Sequence, residues 1–260
     1  MKALAADEII SQAVLGTPLR LTTYAGLIAD CQQLARRPGV WAVDFSNTHI
    51  VTLRRHDAAF RELTGCFDFF IPDGTPLVWC LNARGARLAD RVYGPIFMKE
   101  CVLTSPAPCA HYFLGGSVAC VNKLQALFRA QNPAVCIVGV QDGYFPESRT
   151  AAIVEEINRL SPDFIWVGLG TPKQQSWINQ NKSRLKRGVI FAVGFAFDVN
   201  AGTKPDAPLW MQRAGLTWLF RLAAEPRRLA WRYLKHNSLF LFYLLWDGAR
   251  GRAFRAFDAG

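Results

Sequence analysis

The segment Pro162–Gln175, PDFIWVGLGTPKQQ, constrains this chain most. Phe164–Val167 is a short continuous apolar run opened by a proline turn, the pattern of a buried strand. Gly168-Leu169-Gly170 ends it, followed by Thr171, Pro172 and a polar-faced stretch from Lys173. Thr171 suits a helix N-cap and Pro172 the first helical position, where a missing N–H leaves nothing orphaned. Strand, glycine turn and helix N-terminus in that order aim backbone N–H groups and a positive dipole end at one spot, which favours a phosphate. A glycine turn between any strand and any helix gives the same local pattern, so the rest of the chain has to decide.

Elsewhere the same alternation recurs. Asp7–Leu15 and Thr23–Ala35 have the spacing of amphipathic helices, the second with a threonine cap and Pro38-Gly39 beyond its end. Trp41–Phe45 predicts a strand ending at Ser46-Asn47-Thr48; Ala58–Leu63 predicts a helix. Phe67–Ile71 predicts a strand that empties into Pro72-Asp73-Gly74-Thr75-Pro76 and then a helix through Leu77, Val78 and Leu81. After a loop holding Asp90-Arg91-Val92-Tyr93-Gly94-Pro95, strands are predicted at His111–Leu114, Ala134–Val140, Phe164–Val167 and Val189–Val193. Helices are predicted at Val118–Ala130 and Thr150–Leu160. Such alternation predicts an α/β fold, a Rossmann-like, mostly parallel sheet with helices on both faces. Ligands of such sheets bind beyond the carboxyl ends of the strands. Asn47, Asp73, Gly115-Gly116, Gly168-Gly170 and Asp198 all follow predicted strands, so they are the first candidates for a site.

The chain changes character around Gly202–Pro208, which divides residues 1–203, a core, from residues 204–260, a helical appendage. Four of the eight tryptophans lie beyond it, with Arg213, Arg221, Arg227, Arg228 and Arg232. Asn237–Trp246, NSLFLFYLLW, is apolar almost throughout yet far short of the ~20 residues that span a bilayer. The alternative is that these tryptophans pack on the core and the arginines face water. Thirty Lys+Arg against twenty Asp+Glu give a formal charge of +10, which favours an anionic partner. Seven cysteines without a CxxC pair or a His/Cys cluster read as reduced core thiols of a cytoplasmic protein. Asp7 and Glu8 interrupt the start too early for a signal peptide.

Several chemistries fall away. GLGTPK lacks the third glycine of a dinucleotide fingerprint, and no acidic residue near position 190 is placed to hold a ribose. GGSVAC fails likewise, and no Walker A sequence is present. No D-x-D exists to carry a divalent ion on a nucleotide diphosphate, so arginines and helix N-termini would have to supply the positive charge, and Arg91 leads among them in the core. Asp73 is the leading candidate for a base that takes a proton from an attacking hydroxyl; equally, it could simply cap the next helix. Asp198 reads as a turn aspartate or an acceptor for ligand hydroxyls, Asn47 as a loop-ordering or sugar-binding residue, and Gln174 and Gln175 as a solvated helical turn or part of a site.

The motifs IPDGTPLVW, DRVYGP, YFLGGS, VGLGTPKQQSWI, FAVGFAFDVNAG, APLWMQRAGLTWLFRL and EPRRLAWRYL, in this order over about residues 40–235, resemble the WecG/TagA/CpsF glycosyltransferase family. The resemblance implies a metal-independent, inverting transferase that needs no cofactor. It would move a sugar from a UDP-sugar to a polyprenyl-diphosphate-linked sugar in bacterial cell-surface polysaccharide synthesis. On that likeness Asp73 matches the proposed base and Arg91 an arginine acting on a diphosphate. Gln174 and Asp198 match residues of the nucleotide-sugar pocket, and Asn47 an asparagine near the sugar. Arg221, Arg228 and Arg232 match arginines of an appendage that closes over the site and meets the membrane.

Three positions depart from the family pattern: Phe45 stands for a threonine, and Gln175 and Thr217 each stand for a glutamate. They point to a donor or acceptor other than those of the teichoic acid enzyme, and an exopolysaccharide role fits. The expected setting is the cytoplasmic face of the bacterial plasma membrane, peripheral on its anionic surface, with homo-oligomerisation left open and no nucleic acid as partner. The rival readings are a basic nucleic-acid-binding protein, whose binding would weaken steeply with salt, and an NAD(P)-dependent sugar-nucleotide dehydrogenase.

Overall fold

A computed structural model describes residues 10–105 and 109–250. In chain order the strands are β1 (Ser11–Val14), β2 (Thr17–Arg20), β3 (Gly39–Ser46), β4 (Phe69–Pro72), β5 (Ala110–Gly115), β6 (Cys136–Gln141), β7 (Phe164–Gly168) and β8 (Arg187–Ala192). The helices of the sheet region are α1 (Tyr24–Ala35), α2 (Thr48–His56), α3 (Ala58–Leu63), α4 (Thr75–Asn82), α5 (Gly94–Thr104), α6 (Val118–Gln131), α7 (Thr150–Leu160), α8 (Lys173–Asn181) and α9 (Ala196–Asn200). After them come α10 (Leu209–Arg213), α11 (Thr217–Ala224) and α12 (Pro226–Ala249). One sheet runs in the order β1-β2-β4-β3-β8-β7-β5-β6. Every neighbouring pair is parallel except β1 with β2. The α/β, mostly parallel architecture is therefore as the alternation predicted.

Strand β7 shows why the opening segment is central. Its side chains alternate across the sheet, as the period of a strand requires. Phe164 and Trp166 join one buried cluster with Phe191 and Phe97, while Ile165 and Val167 join the other with Ile190, Leu77 and Leu81. All four residues of that run are fully buried, so each contributes about 1.5–3 kcal/mol of burial. The sequence had to be apolar throughout because both faces are covered.

Two local expectations are corrected, and two further helices appear. Asp7–Leu15 is not a helix where it is described: residues 11–20 form the β1–β2 hairpin, and residues 7–9 lie outside the described residues. Leu15 and Gly16, with φ of 50° and 80°, make the two-residue turn that such a hairpin prefers. Thr171 is not the N-cap of α8; Pro172 takes that position and no side chain caps the helix. Helices α2 and α5 went unplaced, although Asn47 caps the first through its side chain and Pro95 opens the second.

Helix α12 lies against α2. Thr48 Oγ1 donates to Asn237 Oδ1 at 3.2 Å, and Arg55 pairs with Asp247 at 2.9 Å. Phe240 is buried in the same cluster as Leu77 and Leu81. The apolar run Asn237–Trp246 is therefore divided: Phe240 is core, whereas Leu241, Phe242, Leu245 and Trp246 are exposed. No helix among the described residues is long and apolar enough to cross a membrane.

Candidate active site

The carboxyl ends of the parallel strands and the last two helices enclose a cavity of about 540 Å³. The turns after β3 and β4 bring Asn47 and Asp73 to it, the turns after β5 and β7 bring Gly116 and Gly170, and Gly168 reaches it at the end of β7. Gln174 and Asp198 line it from α8 and α9; Arg221, Arg228 and Arg232 line it from α11 and α12. Gly115 and Arg91 are not on its wall.

Asp73 sits in the turn between β4 and α4, and it does not cap α4. Gly74 holds the cap position without a side-chain bond. Instead Asp73 Oδ1 accepts the Gly94 N–H of α5 at 3.0 Å, and the Asp73 N–H donates to the Ser46 carbonyl at 2.8 Å. The carboxyl is thus tied through Oδ1 to the start of α5, and Oδ2 takes no part in that bond. Burial pushes its pKa up to about 6, against the opposing pull of Arg91, the Gly94 N–H and Arg221. Such a carboxylate is a better proton acceptor near neutral pH than an exposed one.

Arg91 is buried just behind Asp73. It donates to the Asp73 carbonyl at 3.3 Å and to Thr217 Oγ1 at 3.0 Å, and its guanidinium lies 4.2 Å from the centre of the Tyr93 ring. Thr217, one of the three departures, therefore meets the arginine with a neutral hydroxyl. The other charge comes from the last helices. Arg221 stacks 3.9 Å over Phe195, and Arg228 pairs with Glu225. The Nε atoms of Arg221 and Arg232 are buried with no hydrogen-bond partner among the described residues. Burial lowers the Arg232 pKa, and the neighbouring Arg221 and Arg228 lower it further. Three neighbouring guanidiniums, two of them with buried unpaired donors, call for an anion rather than for one another.

The glycine turns serve packing first. A Cβ on Gly115 would meet Gly168 backbone atoms at 2.5 Å, and one on Gly168 would meet the Phe197 ring at 2.4 Å. These two glycines let adjacent strands and α9 close up. At Gly170 the N–H already donates to Gln174 Oε1 at 3.1 Å, so that donor of the turn is occupied. Gln174 and Gln175 are buried, not a solvated turn. Gln175 Nε2 donates to Asp44 Oδ2 at 2.8 Å, while Ser46 Oγ donates to Asp44 Oδ1 at 2.6 Å. A neutral amide at position 175 satisfies this fully buried carboxylate; a glutamate there would have to share a proton with it. Asn47 Oδ1 accepts from the His49 and Ile50 N–H groups as the cap of α2. Asp198 accepts from Thr203 Oγ1 at 3.0 Å and lies 3.8 Å from Lys204. Phe45 packs beside Phe97, with ring centres 5.0 Å apart, and gives the cavity an apolar wall where a hydroxyl was expected.

A second cavity, of about 480 Å³, adjoins the first. The two share Asn47, His49, Asp73, Tyr93, Arg221 and Tyr233. Arg91 lines this second cavity, whose other walls are mostly apolar. Sequence reasoning does not single out Tyr93, Phe195, Tyr233 or His49 as site residues. Burial, with His236 and Arg232 beside it, holds the His49 pKa down to about 3, so it is neutral at physiological pH. The Tyr93 hydroxyl donates to Asp206 at 2.8 Å and ties the linker to the core. No local pattern marks such residues, because their partners lie far away in sequence; Asp206 is one such case.

Residues 12–253 match the glycosyl transferase WecG/TagA/CpsF family. The N-acetylglucosaminyldiphosphoundecaprenol N-acetyl-beta-D-mannosaminyltransferase of Bacillus subtilis (strain 168) is 29% identical over 194 residues, covering 74% of this chain and 73% of the relative. The enzyme of the same name from Staphylococcus aureus (strain NCTC 8325 / PS 47) is 27% identical over 198 residues, 76% of each chain. With the family match running through the sheet, both cavities and the last helices, the chain belongs to the WecG/TagA/CpsF family of glycosyltransferases.

Proposed function

We propose that this glycosyltransferase moves a sugar from a UDP-sugar to a polyprenyl-diphosphate-linked sugar, in bacterial cell-surface polysaccharide synthesis, with inversion and without a metal ion. The observation that carries the reading is one cavity that joins a raised-pKa carboxylate, Asp73, to an arginine cluster with buried unpaired donors. The Bacillus and Staphylococcus relatives, named as transferases to an N-acetylglucosaminyldiphosphoundecaprenol, support the acceptor class. In the proposed step an acceptor hydroxyl attacks the anomeric carbon from the face opposite UDP. Its proton passes to Asp73, a new C–O bond forms, and the bond to the β-phosphate oxygen breaks with its electron pair leaving on UDP. Arg221, Arg228 and Arg232 balance the charge that develops on UDP, because they line the polar cavity; Arg91 holds the Asp73 turn from behind.

A panel of UDP-sugars tests this reading directly. The correct donor at 100 times its dissociation constant should stabilise the protein by about 2.7 kcal/mol. It should also be consumed with a lipid-linked acceptor in excess EDTA. No stabilisation by any UDP-sugar would remove the donor assignment. Activity lost to EDTA and restored by magnesium or manganese would remove the arginine-based account of the leaving group. A nicotinamide absorbance change during turnover would favour the dehydrogenase instead.

The exposed groups of the last three helices carry the membrane part of the proposal. Trp210, Trp231, Leu234, Leu245 and Trp246 are all exposed on segments that also carry arginines, a composition suited to an anionic interface. Truncation would confuse the test, since Leu229 and Phe240 are core. Substitution is cleaner. The protein is expected to co-sediment with anionic liposomes, less so at high salt, and Leu245→Glu with Trp246→Glu should abolish most of that binding while leaving the melting temperature nearly unchanged. Undiminished binding by the double variant would place the membrane contact elsewhere.

A further inference from the structure

The second cavity is built unlike the first. Pro76, Trp79 and Cys80 line it from α4, and Trp218, Phe240 and Leu244 from the last two helices. Asp73 and Arg221 line both cavities, and Arg91 lines this one. Leu241, which is 60% exposed, and Trp79, 59% exposed, also line it. A monomer has no reason to keep an apolar recess and exposed apolar rim beside a charged site unless something apolar enters there.

A polyprenyl-diphosphate-linked sugar has three chemical zones in fixed order: hydroxyl-bearing sugar, diphosphate, branched hydrocarbon. The lining offers a group for each zone: the carboxylate of Asp73 and the guanidinium of Arg221, both shared with the polar cavity, and the apolar side chains of α4 and α12 that line this cavity alone. We propose that this cavity holds the first isoprenoid units of the acceptor, so that the protein grips the lipid itself and does not merely meet it at the membrane surface. The inference rests on the transferase reading above and deepens it. A cavity of about 480 Å³ takes only the start of a long chain, so the remainder would leave past Leu241 along the exposed face of α12, where Leu245 also lies. Donor and acceptor then approach Asp73 from separate cavities, which keeps the UDP leaving path clear of the lipid.

The full-length protein, without lipid or detergent, is titrated with farnesyl diphosphate and with inorganic diphosphate, each below any aggregation threshold. Binding is read by tryptophan fluorescence, to which Trp79 and Trp218 contribute from the cavity wall. Farnesyl diphosphate is expected to bind at least about tenfold more tightly, the effect of burying only about two methylenes. Leu241→Asp, a change at a mostly exposed position, should bring the two ligands to within about threefold of each other. Equal affinities in the wild type, or a preference that survives Leu241→Asp, would overturn the inference. Equal affinities together with a dimer that Leu241→Asp dissociates would give the apolar cavity to a second copy of the chain. A protein that transfers sugar but ignores the tail overturns this inference alone; one that transfers to no lipid-linked acceptor overturns the transferase reading and this inference with it.

Discussion

Replacing Asp73 with asparagine is expected to cut turnover by about 10²–10⁴-fold and, in the same protein, to raise thermal stability at neutral pH. The loss follows from chemistry: the amide cannot accept the acceptor's proton, yet its oxygen can still take the Gly94 N–H, so the turn keeps its shape. The gain follows from linkage. Burial raises the Asp73 pKa to about 6 from 3.8, so the folded state binds this proton more tightly than the unfolded chain does. Stability therefore falls as pH rises from about 4 to about 6 and stays reduced above that. At about 1.4 kcal/mol per unit, ionising Asp73 costs up to about 3 kcal/mol, less where solvent at the cavity screens it. Asparagine removes that cost, and the difference between variant and wild type should vanish below about pH 4. In the wild type, kcat/KM should fall on the acid side with an apparent pKa near 6, because the base must be ionised in the free enzyme. The measurement is turnover and melting temperature of both proteins across pH. A folded Asp73→Asn protein with near wild-type turnover would return Asp73 to a structural role.

The parts of this protein that were legible beforehand are those whose cause is local. The run Phe164–Val167 could only be a doubly covered strand, and α7 emerges at Thr150–Leu160 as its spacing predicts. Positions after strands were legible too, because a parallel sheet collects its carboxyl ends at one edge; Asn47, Asp73, Gly116, Gly170 and Asp198 meet at one cavity for that reason. Roles inside the site were less legible. Asp73 looks like a helix cap in sequence, since nothing local says that its acceptor oxygen faces Gly94, 21 residues on. Gln175 looks like surface, since nothing local says that Asp44 waits 131 residues away for its amide. Arg91 looks like a phosphate ligand of the core, but Thr217 and the Asp73 carbonyl engage its guanidinium and the polar cavity is lined without it. The hairpin at residues 11–20 failed for the opposite reason: its helical spacing was real, and the Leu15-Gly16 turn with pairing of Leu19 to Phe70 overrode it.

The arginine cluster should show opposite signs of effect with and without ligand. Arg221 and Arg232 crowd one another and Arg228 at the mouth of the polar cavity, and their Nε donors are buried without partners among the described residues. Without an anion, removing one of them relieves like-charge repulsion and an unsatisfied buried donor, so Arg232→Gln should melt no lower than the wild type and is expected to melt higher. With UDP present the order should reverse, because the variant loses a charge-assisted bond to the diphosphate. For Arg221, which borders both cavities and stacks on Phe195, alanine is expected to lower kcat by about 10²–10³-fold, the scale of losing one fixed donor to developing charge. Lysine at 221 keeps the charge but loses the planar fork and should recover only part of that. Arg228 is exposed and already paired with Glu225, so its alanine variant should lose less than about tenfold. Melting curves with and without UDP, beside kcat and KM for each variant, separate the two roles. If Arg232→Gln melts lower than the wild type in buffer alone and keeps its full UDP-induced shift, the cluster holds α12 in place rather than holding a diphosphate.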